Sequence, residues 1–218
     1  MDSKKELNNI FTELLKRYDI NDDIITQNWN ELIKYYASKK RYYHNITHIH
    51  NAIAALSAHK DTVDAWDVIL FASFYHDIIY NTNPLFSYNN EKKSAELFMT
   101  RYVEYVPYEL CGKVYSYILA TESHTLTNNE SLNLFIDADM SILGQDKYIY
   151  NKYTHLIRQE YKNVPDFLYR TGRVNVLQTF LSKPTIFLTE SFTSLEERAR
   201  ENIMTELNKL NNESKIFS

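Results

Sequence analysis

Glycine and proline are scarce in this chain, with 3 and 4 residues respectively among 218, well below average usage. Few tight turns can form, so long helices are the expected way to compact the chain. The same scarcity removes any glycine-rich phosphate loop, which excludes a dinucleotide fingerprint and a P-loop. Cysteine occurs once, at Cys111. No internal disulfide can form, and Cys111 is expected as a small buried hydrophobe in a reducing compartment. No apolar run approaches membrane-spanning length, and Met1-Asp2-Ser3-Lys4-Lys5 leads into an amphipathic pattern rather than an apolar signal core. Charge of one sign is not concentrated either. With 24 Lys+Arg against 28 Asp+Glu the net charge is −4, dispersed, with no stripe for nucleic acid and no polybasic patch for a membrane. A soluble, cytoplasmic protein is expected, with neither nucleic acid nor membrane as partner. Tyrosine, by contrast, is abundant at 18 residues, several of them expected as core rings with one wet end.

At 218 residues one domain is the usual expectation, large enough for a substantial core. Leu7, Ile10, Phe11, Leu14, Leu15 and Tyr18 recur at helical spacing. Asn21-Asp22-Asp23 then offers a cap and acidic first turn for a helix carrying Ile25, Trp29, Leu32, Ile33 and Tyr36. The period resumes at about Asn45 through Ile49, Ala52, Ile53 and Leu56, and again from about Asp61 through Val63, Trp66, Leu70 and Phe74. Asn81 to Pro84 reads as a loop, and Asn89-Asn90-Glu91 as a helix start. Pro107 and Pro165 open helices. Ser194-Leu195-Glu196-Glu197 reads as a capping box for a last helix through Ile203, Leu207 and Leu210, fraying from Asn211.

Polar residues intrude on these stripes. Phe74-Tyr75-His76-Asp77 ends an apolar run, with Asp77 on the stripe and His76 about a quarter-turn round. A carboxylate there, in the last turn of a helix, needs a cationic partner. His44 and His48 stand four apart, on one face if the helix extends back to His44. His124 closes a helix carrying Leu110, Val114, Tyr117 and Ile118. Leu132, Phe135, Ile136 and Leu143 define a narrow stripe with Asp139 near its centre, while Asp137 points roughly 140° away by the helical period. Glu160 shares a face with Ile149, Tyr153, Leu156 and Val164, and its expected partner is an arginine, Arg158 or Arg173, in a structural ion pair. Two imidazoles and two carboxylates from His48, His76, Asp77 and Asp139 suit a borderline divalent metal such as Mn²⁺, Fe²⁺, Co²⁺, Ni²⁺ or Zn²⁺.

The order His48, His76-Asp77, Asp139 resembles the HD superfamily of metal-dependent phosphohydrolases. It is closer still to a branch described only as predicted metal-dependent phosphohydrolases of that superfamily. The matching pieces begin with Arg41-Tyr42-Tyr43-His44, Thr47-His48-Ile49 and Phe74-Tyr75-His76-Asp77-Ile78-Ile79-Tyr80. They continue through Asn90-Glu91-Lys92-Lys93-Ser94-Ala95, Thr121-Glu122-Ser123-His124 and Asp137-Ala138-Asp139-Met140-Ser141-Ile142-Leu143-Gly144. Ile157-Arg158-Gln159-Glu160-Tyr161 and Gly172-Arg173 also fit, so the resemblance spans about residues 41–190.

This resemblance implies an all-α, HD-type helical bundle over residues 1–218 with a metal site between helices. It implies ligation by His48, His76, Asp77 and a final aspartate. The motif leaves Asp137 and Asp139 open for that last place, and helical phase favours Asp139. His44, His124 and Arg41 are implied to line the pocket and contact phosphate, with the histidines alternatively supporting a second metal. No acidic residue follows His76-Asp77 within the next few positions, unlike some HD nucleotidases. The base or water-orienting group therefore falls to Asp77 itself or Glu91. The implied activity is hydrolysis of a small phosphate ester, a nucleotide included, through water activated by Mn, Fe, Co, Ni, Zn or Mg. The alternative is a regulatory HD domain that binds metal or nucleotide without turnover, and HD-type folds are also thought to support oxygenases. A helical interaction module would leave unexplained that His44, His48, His76 and His124 all fall in matching segments.

Overall fold

The computed structural model describes residues 3–63, 65–83 and 89–214; Pro84 of the expected loop lies outside them. Helices account for the regular structure and no strand occurs among the described residues. The chain runs through α1 (Ser3–Lys16), α2 (Asp22–Tyr36), α3 (Ile46–Ser57), α4 (Trp66–Tyr75) and α5 (Asn90–Tyr102). It continues through α6 (Tyr108–Ala120), α7 (Glu130–Met140), α8 (Lys147–Glu160), α9 (Asp166–Ser182) and α10 (Glu196–Ser214). Three 3₁₀ segments lie at Lys60–Thr62, Ser141–Gly144 and Glu190–Leu195. No helix among the described residues is long and apolar enough to cross a membrane.

Side-chain caps fix where several helices begin. Asn21 accepts the Ile24 N–H at 2.9 Å, as its place before an acidic first turn predicts. Asn45, Asn129 and Asp146 cap α3, α7 and α8 in the same way. With Asn45 as cap, α3 does not reach back to His44, so His44 and His48 do not share a helical face. The expected capping box before the last helix does not form. Ser194 and Leu195 belong to the 3₁₀ segment, and the Glu196 carboxylate turns back to the Ile186 and Phe187 N–H groups at 2.9–3.1 Å. The last helix continues to Ser214 rather than fraying from Asn211.

Helix α4 is the centre of the packing. Every residue from Val68 to Tyr75 is buried, and the helix packs against α1, α3, α5, α6 and α7. The expected single apolar face beginning near Asp61 is therefore corrected: Lys60–Thr62 is a separate 3₁₀ turn, and α4 is apolar all round, as a helix enclosed by others must be. Tyr36, Tyr75 and Tyr102 are fully buried too. Their hydroxyls are satisfied inside rather than in water. Tyr36 donates to the Phe74 carbonyl at 3.0 Å, and the Tyr75 and Tyr102 hydroxyls meet at 2.8 Å. Cys111 is buried as expected.

Two 3₁₀ segments come close together at Gly144. A Cβ there would stand 2.5 Å from Leu195 Cβ and 2.8 Å from the Leu195 carbonyl oxygen. Gly144→Ala is expected to destabilise the fold by about 1–3 kcal/mol through overpacking, read as a lower melting temperature.

Candidate metal centre

His76 caps the C-terminus of α4 and Asp77 follows in the turn, so both leave the helix into the space between α3 and α7. His76 Nδ1 stands 3.1 Å from the Ser73 carbonyl. A carbonyl can only accept, so Nδ1 carries hydrogen there, and Nε2 faces the interior. His48, on the buried side of α3, brings its Nε2 to 3.1 Å from His76 Nε2. The Asp77 Oδ2 atom lies 3.6 Å from His48 Nε2 and 3.3 Å from His76 Nε2. Asp139 Oδ1, from α7, lies 3.0 Å and 3.4 Å from the same two nitrogens.

Ligand atoms about 2.0–2.2 Å from a common cation sit about 3–3.5 Å from one another. The observed separations match that spacing, and His48, His76 and Asp77 form a buried cluster that could hold a metal ion. Charge points the same way. Burial alone would discharge His76, but the carboxylates of Asp77 and Asp139 outweigh it and hold its pKa well above the usual histidine range. Both carboxyls are held low against their own burial, chiefly by His76. A field that favours a proton on His76 also favours a cation, and the two compete for one lone pair.

Two further histidines stand around the cluster. His44 Nε2 is 4.0 Å from Asp77 Oδ2. His124 Nε2 is 3.6 Å from Asp139 Oδ2, presented from a turn after α6 in which His124 itself adopts the left-handed conformation at φ 49°. Such a conformation costs free energy in a non-glycine residue and is retained where the surroundings fix it. Here Lys183 donates to the His124 carbonyl at 2.6 Å.

Glu160 is corrected. Neither arginine is its partner: Arg158 pairs with Asp166, and Arg173 with Glu206 at 2.8 Å. Instead one Glu160 oxygen accepts the backbone N–H groups of Tyr42, Tyr43 and His44 at 2.8, 2.8 and 2.9 Å. The other faces His44 Nδ1 at 2.6 Å. Burial disfavours its charge, but His44 and these N–H groups keep its pKa low. This buried carboxylate thus holds the loop before α3 and aims His44. The face it shares with Tyr153 in α8 was readable; the partner, 116 residues away, was not.

Arg41 does not line the cavity beside the cluster. Its guanidinium donates to the carbonyls of His44 at 3.1 Å, Asp77 at 2.6 Å and Ile78 at 2.7 Å, between the rings of Tyr36 and Tyr80. Its place is behind the site, tying the His44 loop to the Asp77 turn, and the direct phosphate contact expected for it is not what this geometry offers.

Asp137 and Asp139 face different partners, although the expected stripe is absent. α7 has no narrow stripe; Ser131 to Ala138 are all buried. Asp137 is buried away from the cluster and accepts the Leu188 N–H, the Thr189 N–H and the Thr189 hydroxyl at 2.7, 2.8 and 2.7 Å. Glu91 lies on the cavity wall, its carboxyl pushed up first by burial and then by the charges of Asp77 and Glu122.

The cluster opens into a cavity of about 750 Å³ whose wall includes His44, His48, Asp77, His124 and Asp139. Volumes of about 300–1,000 Å³ accommodate small organic ligands. No family model, curated protein or solved structure matches the chain.

Proposed function

We propose that the protein is a metal-dependent phosphohydrolase acting on a phosphate ester, with His48, His76, Asp77 and Asp139 as metal ligands. The observation that carries this reading is that the Asp77 and Asp139 carboxylates each come within 3.0–3.6 Å of the His48 and His76 Nε2 atoms, themselves 3.1 Å apart, beside a cavity large enough for an organic substrate. A divalent cation held by these residues would lower the pKa of bound water and neutralise charge on a phosphoryl oxygen. Four protein donors suit Mn²⁺, Fe²⁺, Co²⁺, Ni²⁺ or Zn²⁺.

The residues divide the remaining work. In the overall reaction water adds to phosphorus, the phosphorus–oxygen bond to the alcohol breaks, and a proton from water ends on the departing alcohol. His44 has Nδ1 fixed on Glu160, so its Nε2 is the end that holds or moves a proton within the cavity. His124, on the cavity wall with its Nε2 3.6 Å from Asp139 Oδ2, is the neighbouring imidazole placed to donate to a phosphate oxygen. Arg41 positions the Asp77 turn without touching substrate.

Protein reconstituted with Mn²⁺ or Fe²⁺ is expected to retain close to one metal per chain, or two if His44 and His124 bind a second. It should then hydrolyse at least one member of a panel of nucleotides and simple phosphate esters. Metal analysis finding none after reconstitution would sink the site. Retained metal with tight nucleotide binding but no turnover would favour the regulatory domain.

A further inference from the structure

Of the 17 residues in α9 only Leu177 is fully buried. Leu168, Gly172, Val176 and Thr179 recur at every third or fourth position, and this stripe lines the same cavity as His48, Asp77 and Asp139. Leu168 and Val176 are apolar, yet 47% and 46% of their surface is exposed there. Between them Gly172 stands in mid-helix, where glycine is less stable than alanine. No packing demands it, since a Cβ at Gly172 would meet nothing within 4 Å. What the missing side chain leaves is room.

Two polar groups along the α9 wall, Thr179 and Arg173, are already engaged. Thr179 donates to the Asn175 carbonyl at 2.9 Å, and the Arg173 guanidinium bonds Glu206 at 2.8 and 3.0 Å and the Tyr153 hydroxyl at 3.2 Å. The edges of a nucleobase would need free donors and acceptors to be read, whereas an apolar body needs only surface to cover. Tyr43, Tyr153 and Ile157 extend that surface around the cavity.

We infer that Gly172, flanked by Leu168 and Val176, forms the subsite for the organic part of the substrate, that this part is bulky and largely apolar, and that Gly172 sets its size limit. The inference rests on the phosphoester reading of the metal end. It names the ester class as one whose alcohol is an aryl-bearing or similarly large apolar group rather than a nucleoside.

The test uses Mn²⁺-loaded protein and its Gly172→Leu and Gly172→Ala variants. Calorimetric titration with naphthylmethylphosphonate, which cannot be hydrolysed, reads the subsite whether or not any ester is turned over. Wild-type protein should bind it, and Gly172→Leu should weaken binding at least tenfold with metal content unchanged. Gly172→Ala should melt about 2–4 °C higher, because helix propensity improves and nothing is displaced. Turnover is compared on three esters of primary alcohols, so that leaving groups are matched: ethyl phosphate, naphthylmethyl phosphate and adenosine 5′-monophosphate. The naphthylmethyl ester should have the highest kcat/KM, and Gly172→Leu should lower it at least tenfold while changing ethyl phosphate less than twofold. Phosphonate binding that is absent, or equal in wild type and Gly172→Leu, overturns the inference. So does a lower melting temperature for Gly172→Ala or a preference for the nucleoside ester. Subsite binding without turnover of any ester would remove the phosphohydrolase reading and leave the subsite standing.

Discussion

Asp139→Asn protein is expected to fold and to lose its metal, while Asp137→Ala is expected to keep its metal and lose stability. The asymmetry follows from what each carboxylate touches. Asp139 Oδ1 stands 3.0 and 3.4 Å from the two histidine Nε2 atoms, so an amide there removes one negative charge from the cation's surroundings. Affinity should fall by more than the roughly 10–100-fold that loss of an outer-shell partner costs, and hydrolysis with it. Asp137 instead satisfies two N–H groups and a hydroxyl of the Leu188–Thr189 segment. Removing it strands those buried donors, and about 3 kcal/mol is expected from partly unsatisfied groups. In a chain of this size that is a fall in melting temperature of about 6–12 °C. Metal analysis and a thermal melt on the same two proteins decide the matter. Metal loss in Asp137→Ala at temperatures where it is folded, with metal retained in Asp139→Asn, would exchange the roles.

That pair also shows what can and cannot be read along a chain. Periodicity places Asp139 on the stripe and Asp137 away from it; in the structure the two have different partners, but Asp137 is the more deeply buried. The premise of a narrow stripe was wrong, because α7 is enclosed on all sides and its polar positions are buried as well. Enclosed helices have no amphipathic signal, and the same holds for α4, whose continuous burial from Val68 to Tyr75 hides any preferred face. Local signals fared better. The Asn21 cap lies three residues from the N–H it accepts, a distance the eye can scan. Glu160 and Arg41 failed at the opposite extreme, since their partners are backbone groups brought near only by the fold. Side-chain type says that a buried glutamate needs donors; it does not say that three successive N–H groups will supply them.

Glu160 is therefore where the second large effect is expected. Glu160→Ala would leave the Tyr42, Tyr43 and His44 N–H groups without their acceptor and should destabilise the fold by about 3–5 kcal/mol. Glu160→Gln is the more informative change. Its amide oxygen can still receive the three N–H groups, but its NH₂ then faces His44 Nδ1 where a carboxylate oxygen stood at 2.6 Å. A donor opposite Nδ1 forces that nitrogen to accept, which moves the hydrogen to Nε2 and reverses the character of the atom facing Asp77. Stability should change little beside the alanine variant, whereas hydrolysis should fall by about 10²-fold, within the range ascribed to a single proton-transfer group. If Glu160 works through His44, adding His44→Ala to Glu160→Gln should cost almost nothing more, because the two single losses describe one function. Multiplicative losses in the double variant would mean that Glu160 shapes the site by another route, and that the fixed tautomer of His44 is incidental to the chemistry.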